Sequence, residues 1–157
     1  MHSFPALKKI ATHTRKTYPL LALTLALSAC SGTPPTDIGV RNGHLTDCPS
    51  SPNCVSSQAS DSEHAIAALP LRGDRAQSRT HLLTLLASQP QATVVSAQDD
   101  YIHAEFTSQI MRFVDDVEFL LGPQAIEVRS ASRVGRSDLG VNRERVELLR
   151  QQLSHPE

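Results

Sequence analysis

Tyr101-Ile102-His103-Ala104-Glu105-Phe106-Thr107 alternates apolar and polar side chains without a break. On an extended chain Ile102, Ala104 and Phe106 take one face, and His103, Glu105 and Thr107 take the other. This period of two predicts a strand, running on to Gln109, with one buried and one wet face. Upstream, Thr93 to Gln98 is β-branched and apolar and reads as its hairpin partner, with Asp99-Asp100 as the turn. Downstream, Val114 to Leu121 places Val117, Phe119 and Leu121 on one side and predicts a third strand, ended by the turn Gly122-Pro123. Ala125 to Arg133 predicts the fourth, with Ile126 and Val128 inward and Glu127, Arg129 and Arg133 on the opposite parity.

Two helices bracket these strands. Asp74 is placed to cap one over about Arg75 to Ser88, where Leu82, Leu83, Leu85 and Leu86 give an apolar side and Pro90 stops it. Asn142 is placed to cap another, reaching about Leu153, with Val146, Leu149 and Leu153 as its stripe. The expected class is α+β: a roughly four-stranded antiparallel sheet flanked by an N-terminal and a C-terminal helix.

The beginning of the chain has a different character. Lys8, Lys9, Arg15 and Lys16 precede an apolar run from Leu20 to Ala29, and no Asp or Glu occurs before Asp37. A basic start, a short apolar run and small residues before a cysteine describe a secretory signal over residues 1–29. The run is too short for a permanent membrane-spanning helix. Leu27-Ser28-Ala29-Cys30 resembles the lipobox of bacterial lipoproteins. That resemblance implies lipidation of Cys30 and, with Ser31 next, anchoring in the outer membrane facing the periplasm. Residues 30–47, with Gly32, Pro34, Pro35, Gly39 and Gly43, read as the lipidated cysteine and a flexible tether. The single domain is expected over residues 48–153, with 154–157 as a tail.

Of the 157 residues, the signal would remove four cations and no acid, leaving 11 Arg against 16 Asp and Glu, so the formal charge falls from −1 to −5. A net-negative chain has no electrostatic grip on nucleic acid. Membrane contact is expected through the N-terminal lipid.

Export places Cys48 and Cys54, in Cys48-Pro49-Ser50-Ser51-Pro52-Asn53-Cys54, in an oxidising compartment, so a disulfide is expected. The histidines His44, His64, His81, His103 and His155 show no ligand spacing, so neither a metal site nor a cofactor is expected.

The segment richest in chemistry runs from Arg129 to Arg145, RSASRVGRSDLGVNRER, with five arginines, three serines, two glycines, Asp138 and Asn142. Together with CPSSPNCVS (Cys48 to Ser56) and FVDDVEF (Phe113 to Phe119), it resembles the family designated domain of unknown function 1499, over about Leu45 to Leu153. Where that family would carry an aromatic after Gly135, this chain has Arg136. The resemblance sets domain boundaries and implies no reaction.

Three readings of Asp115, Asp116, Arg129, Ser132, Arg133, Ser137, Asp138, Asn142, Arg143 and Arg145 stand side by side. In the first, Asp115 and Asp116 pair with Arg129 and Arg133 across strands, Asp138 and Asn142 cap the last helix, and Arg143 and Arg145 are solvated. In the second, the arginine forks and serine hydroxyls bind an anion: a small carboxylate, a lipid headgroup or a glycan acid, or else an envelope protein docks there. In the third, a hydrolase uses His103 with Asp115 or Asp116 and Ser130 or Ser132. The third is disfavoured because 115 and 116 point to opposite sheet faces and no Gly-x-Ser-x-Gly elbow is present. The preferred expectation is a non-catalytic envelope binding or scaffold protein.

Overall fold

The computed structural model describes residues 31–155. The signal peptide, the lipidation site Cys30 and the last two residues of the expected tail lie outside the described residues. The elements are β1 (Val40–Arg41), β2 (His44–Leu45), β3 (Cys54–Ser56), α1 (Arg75–Ser88), β4 (Ala92–Gln98), β5 (Tyr101–Thr107), β6 (Val114–Leu121), β7 (Ile126–Ser132) and α2 (Val141–Ser154). Strands β3 to β7 form one antiparallel sheet in the order β3-β7-β6-β5-β4. The class is α+β, as expected, but the sheet has five strands.

The fifth strand is Cys54–Ser56, which pairs with Arg129 to Ala131 of β7. Three residues are too few to show a period in sequence, and their role as a disulfide loop hides them further. Cys48 and Cys54 are bonded, with Cα atoms 5.7 Å apart, so the loop is closed just where β3 begins.

Alternation in β5 and β6 decides which face is core. Ile102, Ala104, Phe106, Val117, Phe119, Leu121, Ile126 and Val128 turn to one side and pack against Leu82 and Leu86 of α1 and Val146, Leu149 and Leu153 of α2. Full burial of a side chain the size of Phe119 contributes about 1.5–3 kcal/mol. Both helices therefore cover the same sheet face.

Helix α1 starts as expected. The Asp74 carboxylate accepts from the Gln77 amide (2.8 Å) while the Gln77 side chain accepts from the Asp74 amide (2.9 Å), a reciprocal capping box. Gly73, at φ +76°, leaves the room that Gln77 fills; a Cβ there would stand 2.1 Å from Gln77 Oε1.

Helix α2 starts differently from expectation. Its first helical residue is Val141, entered from Gly140 at φ 87°, and Asn142 is inside the helix. The capping acceptor is Asp138, which takes the backbone amides of Asn142 (2.8 Å) and Gly140 (3.1 Å). The Asn142 side chain is thereby free to enter the core.

Strand β5 ends at Thr107, two residues short of expectation. The Ser108 amide donates to Phe113 O and the Phe113 amide to Ser108 Oγ, each at 2.9 Å, so the chain closes into a loop instead of extending. The edge strand β4 carries a bulge between Val94 and Ser96, and the other edge, β3, is only three residues long. Both devices limit pairing with another chain.

The stretch expected as a tether packs on the sheet. Residues 31–47 include the β1–β2 hairpin, Leu45 is buried, and the Gly39 amide donates to Glu118 Oε1 of β6 at 2.7 Å. The stretch covers part of the face that the helices leave open. That face is therefore not simply wet: His103, Asp116, Glu118 and Arg129 on it are all buried.

Candidate functional site

Strand alternation divides the polar residues into two networks on opposite faces of the sheet. On the helix side, Asp115 is the cross-strand partner of Ser132, and Val117 of Ser130. Asn142 comes down from α2 between them. Its Nδ2 lies within hydrogen-bonding distance of Asn53 O (3.1 Å), Ser132 Oγ (2.9 Å) and Asp138 Oδ2 (2.8 Å), and its Oδ1 accepts from Ser130 Oγ (2.6 Å). Arg145 donates to Ser130 Oγ (3.0 Å), Asn142 Oδ1 (2.6 Å) and Asp115 Oδ2, with its guanidinium 4.9 Å from the Phe106 ring centre. Asn53 completes the group by donating to Ser132 O and Gly135 O. Burial raises the Asp138 pKa, but the amides of Asn142 and Gly140 outweigh it and hold the carboxyl below the ordinary aspartate range.

On the outer face, Arg133 is central. It donates from Nε to Asp116 Oδ2 (2.7 Å), from Nη2 to Asp116 Oδ1 (2.8 Å), and to Glu105. His103 Nε2 lies 2.8 Å from the same Asp116 carboxylate. Burial alone would raise the Asp116 pKa; the hydrogen bonds from Arg133 and His103 reverse the sign and hold it below the ordinary value. The Asp116 hydrogen bond correspondingly pushes the Arg133 pKa up. Beside this cluster, Glu118 is fully buried and accepts from Arg129 Nη1 (3.1 Å), Tyr101 Oη (2.9 Å) and the Gly39 amide. Burial, and then the Glu118 charge, push the Tyr101 phenol well above its usual pKa, so it remains a donor. Arg129 Nε is buried and has no hydrogen-bond partner among the described residues.

The expected residues therefore divide between the two faces, and only one of the expected pairs forms. Arg133 pairs with Asp116, whereas Arg129 pairs with Glu118 and Asp115 with Arg145. Arg145 is not solvated, since its side chain is only 12% exposed. Arg143 is also engaged, donating to Ala65 O (2.8 Å) and Glu63 O (2.9 Å) and fastening the long β3–α1 connection to α2. Ser137 is exposed and its hydroxyl accepts from the Leu139 amide.

Sequence reasoning missed Glu105, Glu118, Tyr101 and Asn53. The first three share the parity of His103 and Asp116, a signal present in the alternation itself. Asn53 carries no such signal.

The residues suggested for hydrolysis assemble only in part: His103 meets Asp116, and both serines lie apart from the pair. His103 and Asp116 stand on the outer face, while Asp115, Ser130 and Ser132 stand on the helix face. Ser96 is the cross-strand neighbour of His103, but no side-chain hydrogen bond joins them among the described residues. Nor, among the described residues, does any group of three His, Cys, Asp or Glu side chains stand where it could hold a metal ion.

An open groove of about 310 Å³ lies beside the helix-side network, where Phe113, Val134 and Val141 form apolar walls and Asp115, Ser132 and Asp138 reach its floor.

A five-stranded antiparallel sheet with two helices on one face and ionic networks on both defines an α+β domain. The model of the protein of unknown function family DUF1499 matches residues 44–153, so the chain belongs to that family. No curated protein and no solved structure matches the chain.

Proposed function

We propose that this chain is a lipid-anchored envelope protein, held in the outer membrane and facing the periplasm, whose domain is a non-catalytic binding or scaffold module. The anchor rests on the basic start, the apolar run Leu20 to Ala29 and the Leu27-Ser28-Ala29-Cys30 junction. The observation that carries the non-catalytic part is the engagement of the arginines. Arg129, Arg133, Arg143 and Arg145 donate to protein carboxylates, a side-chain amide, a hydroxyl and backbone carbonyls. An anion cradle needs donors left over for its ligand, and each of these four guanidinia already donates inside the fold, with Arg129 Nε as the buried donor left over. Binding is then left to the surface around Phe113, Val141 and the exposed Arg136, not to these four arginines.

The test is expression of the full chain in a Gram-negative host with labelled palmitate. Label and protein should appear together in the outer-membrane fraction and disappear from it in Cys30→Ala. Native mass spectrometry of the detergent-extracted protein should show no small anion whose retention depends on Arg133. A chain that stays unlabelled and soluble would refute the anchor. An anion lost only in Arg133→Ala, with the fold intact, would replace the scaffold reading with that of an anion-binding module.

A further inference from the structure

Exposed apolar side chains gather at one end of this protein. Ile110, Met111 and Phe113 lie on the β5–β6 loop, Leu139 and Val141 lie at the start of α2, and Leu148 lies about two turns further along it. Ile110 is 90% exposed and Leu139 94%, values that no internal packing role explains. Shared walls join all of these but Leu139 into one surface. Phe113 and Val141 line the same groove, Val141 and Leu148 line its neighbour with Gln91, and Gln91 with Ile110 and Met111 lines a third. Contiguous apolar surface of this kind marks a contact site, unlike single scattered residues. The loop is also held in shape: the two Ser108–Phe113 hydrogen bonds close it and present Ile110 and Met111 at its tip.

Two further observations say what covers this surface. The first is where the described chain begins. Gly32 lies against the end of β7, so close that a Cβ on it would stand 2.8 Å from Arg133 Cβ and 3.0 Å from Val134 Cγ1. Val134 is a wall of the same groove as Phe113. Cys30 is two residues before Gly32, at most about 7 Å of chain away, so acyl chains on Cys30 would enter a bilayer beside this surface. The second is charge. Arg112 and Arg136 are exposed at this end, and neither is in an ion pair among the described residues. Three acids face the same surface: Glu144 on the rim, Asp115, which is paired with Arg145, and Asp138, which accepts the amides of Gly140 and Asn142. The opposite end of the sheet carries the β4–β5 turn with Asp99 and Asp100.

We propose that this end is a membrane-contact surface: the β5–β6 loop and the start of α2 rest on the bilayer that holds the Cys30 lipid. Ile110 and Met111 enter its apolar margin, and Arg112 and Arg136 meet anionic headgroups. The inference rests on the lipid-anchor reading and goes beyond it, because an anchored domain on a free tether would touch lipid only through its acyl chains. The short reach from Gly32 to Cys30 keeps the surface at high effective concentration over the membrane, so weak contacts suffice.

The chain contains no tryptophan, so a single indole reports its own surroundings. The experiment places the lipidated full chain, as I110W or as V40W, in phosphatidylethanolamine–phosphatidylglycerol vesicles with brominated acyl chains. Val40 lines a groove with Asp99, Asp100 and Tyr101 at the far end, and so serves as the comparison. Expected is a blue-shifted I110W emission that loses most of its intensity to the brominated lipid, while V40W keeps a water-like emission. Vesicle-bound protein with both indoles unquenched would overturn the contact and leave the anchor standing. A blue shift without bromine quenching would overturn it in favour of a protein cover, such as a second copy. Protein that does not float with the vesicles would overturn the anchor and the contact together.

Discussion

The guanidinium of Arg133, just beyond the end of β7, reaches Asp116 on β6 through two nitrogens and Glu105 on β5 through one. One side chain thus ties three neighbouring strands on a face where it is only 5% exposed. Removing one partner of such a pair leaves the other buried and uncompensated. The sign of the Asp116 shift fixes a pH dependence. Its folded pKa is depressed, so its contribution is present above the ordinary aspartate value of 3.8 and is lost as pH falls through the lower folded value. Denaturant melts between neutral pH and pH ~3 should therefore show an acid loss of stability that is smaller in Asp116→Asn. Asn142 makes a second prediction at this scale. It is fully buried and contacts β7, Asn53, Asp138 and Arg145. Asn142→Ala should destabilise by about 1–3 kcal/mol for each buried group left unpaired, measurable by urea unfolding.

At the scale of elements, closure of the Cys48–Cys54 loop fixes the chain immediately before β3, the shortest strand of the sheet. Cys48→Ser with Cys54→Ser should cost about 2 kcal/mol in the chain-entropy model, checked by melting the protein under non-reducing conditions. The four long strands and both helices were legible in sequence from signals such as the alternation of β5 over seven residues, the β-branched composition of β4, and the stripe Val146, Leu149 and Leu153 of α2. Strand β3 was not, because three residues cannot show alternation. The start of α2 was misplaced because Asp138 and Asn142 are both good capping residues, and the choice depends on Gly140 turning the backbone to φ 87°. The ion pairs were half legible. Parity separates Asp115 from Asp116 correctly, but the choice of Arg145 for Asp115 depends on where α2 crosses the sheet, and local sequence does not encode that.

For the whole molecule, the sheet has an apolar face under two helices and an ionic face under the N-terminal segment. That segment was misread as a tether because its glycines and prolines lack a period, and a cover needs none. Its packing makes a prediction. The Gly39 amide, which donates to Glu118, should exchange with deuterium far more slowly than an open chain amide, and Glu118→Gln should speed it. Immediate exchange at Gly39 would restore the tether.

The claim on which the rest depends is that the arginine-rich segment holds the fold together instead of holding a ligand. The most direct measurement is a double-mutant cycle on Asp116 and Arg133, with unfolding free energies of Asp116→Ala, Arg133→Ala and the double variant. The account predicts that each single variant loses about 3–5 kcal/mol and that the double variant loses far less than their sum. Near-zero coupling, with Arg133→Ala as stable as the parent, would mean that Arg133 is available to an outside partner and would contradict it.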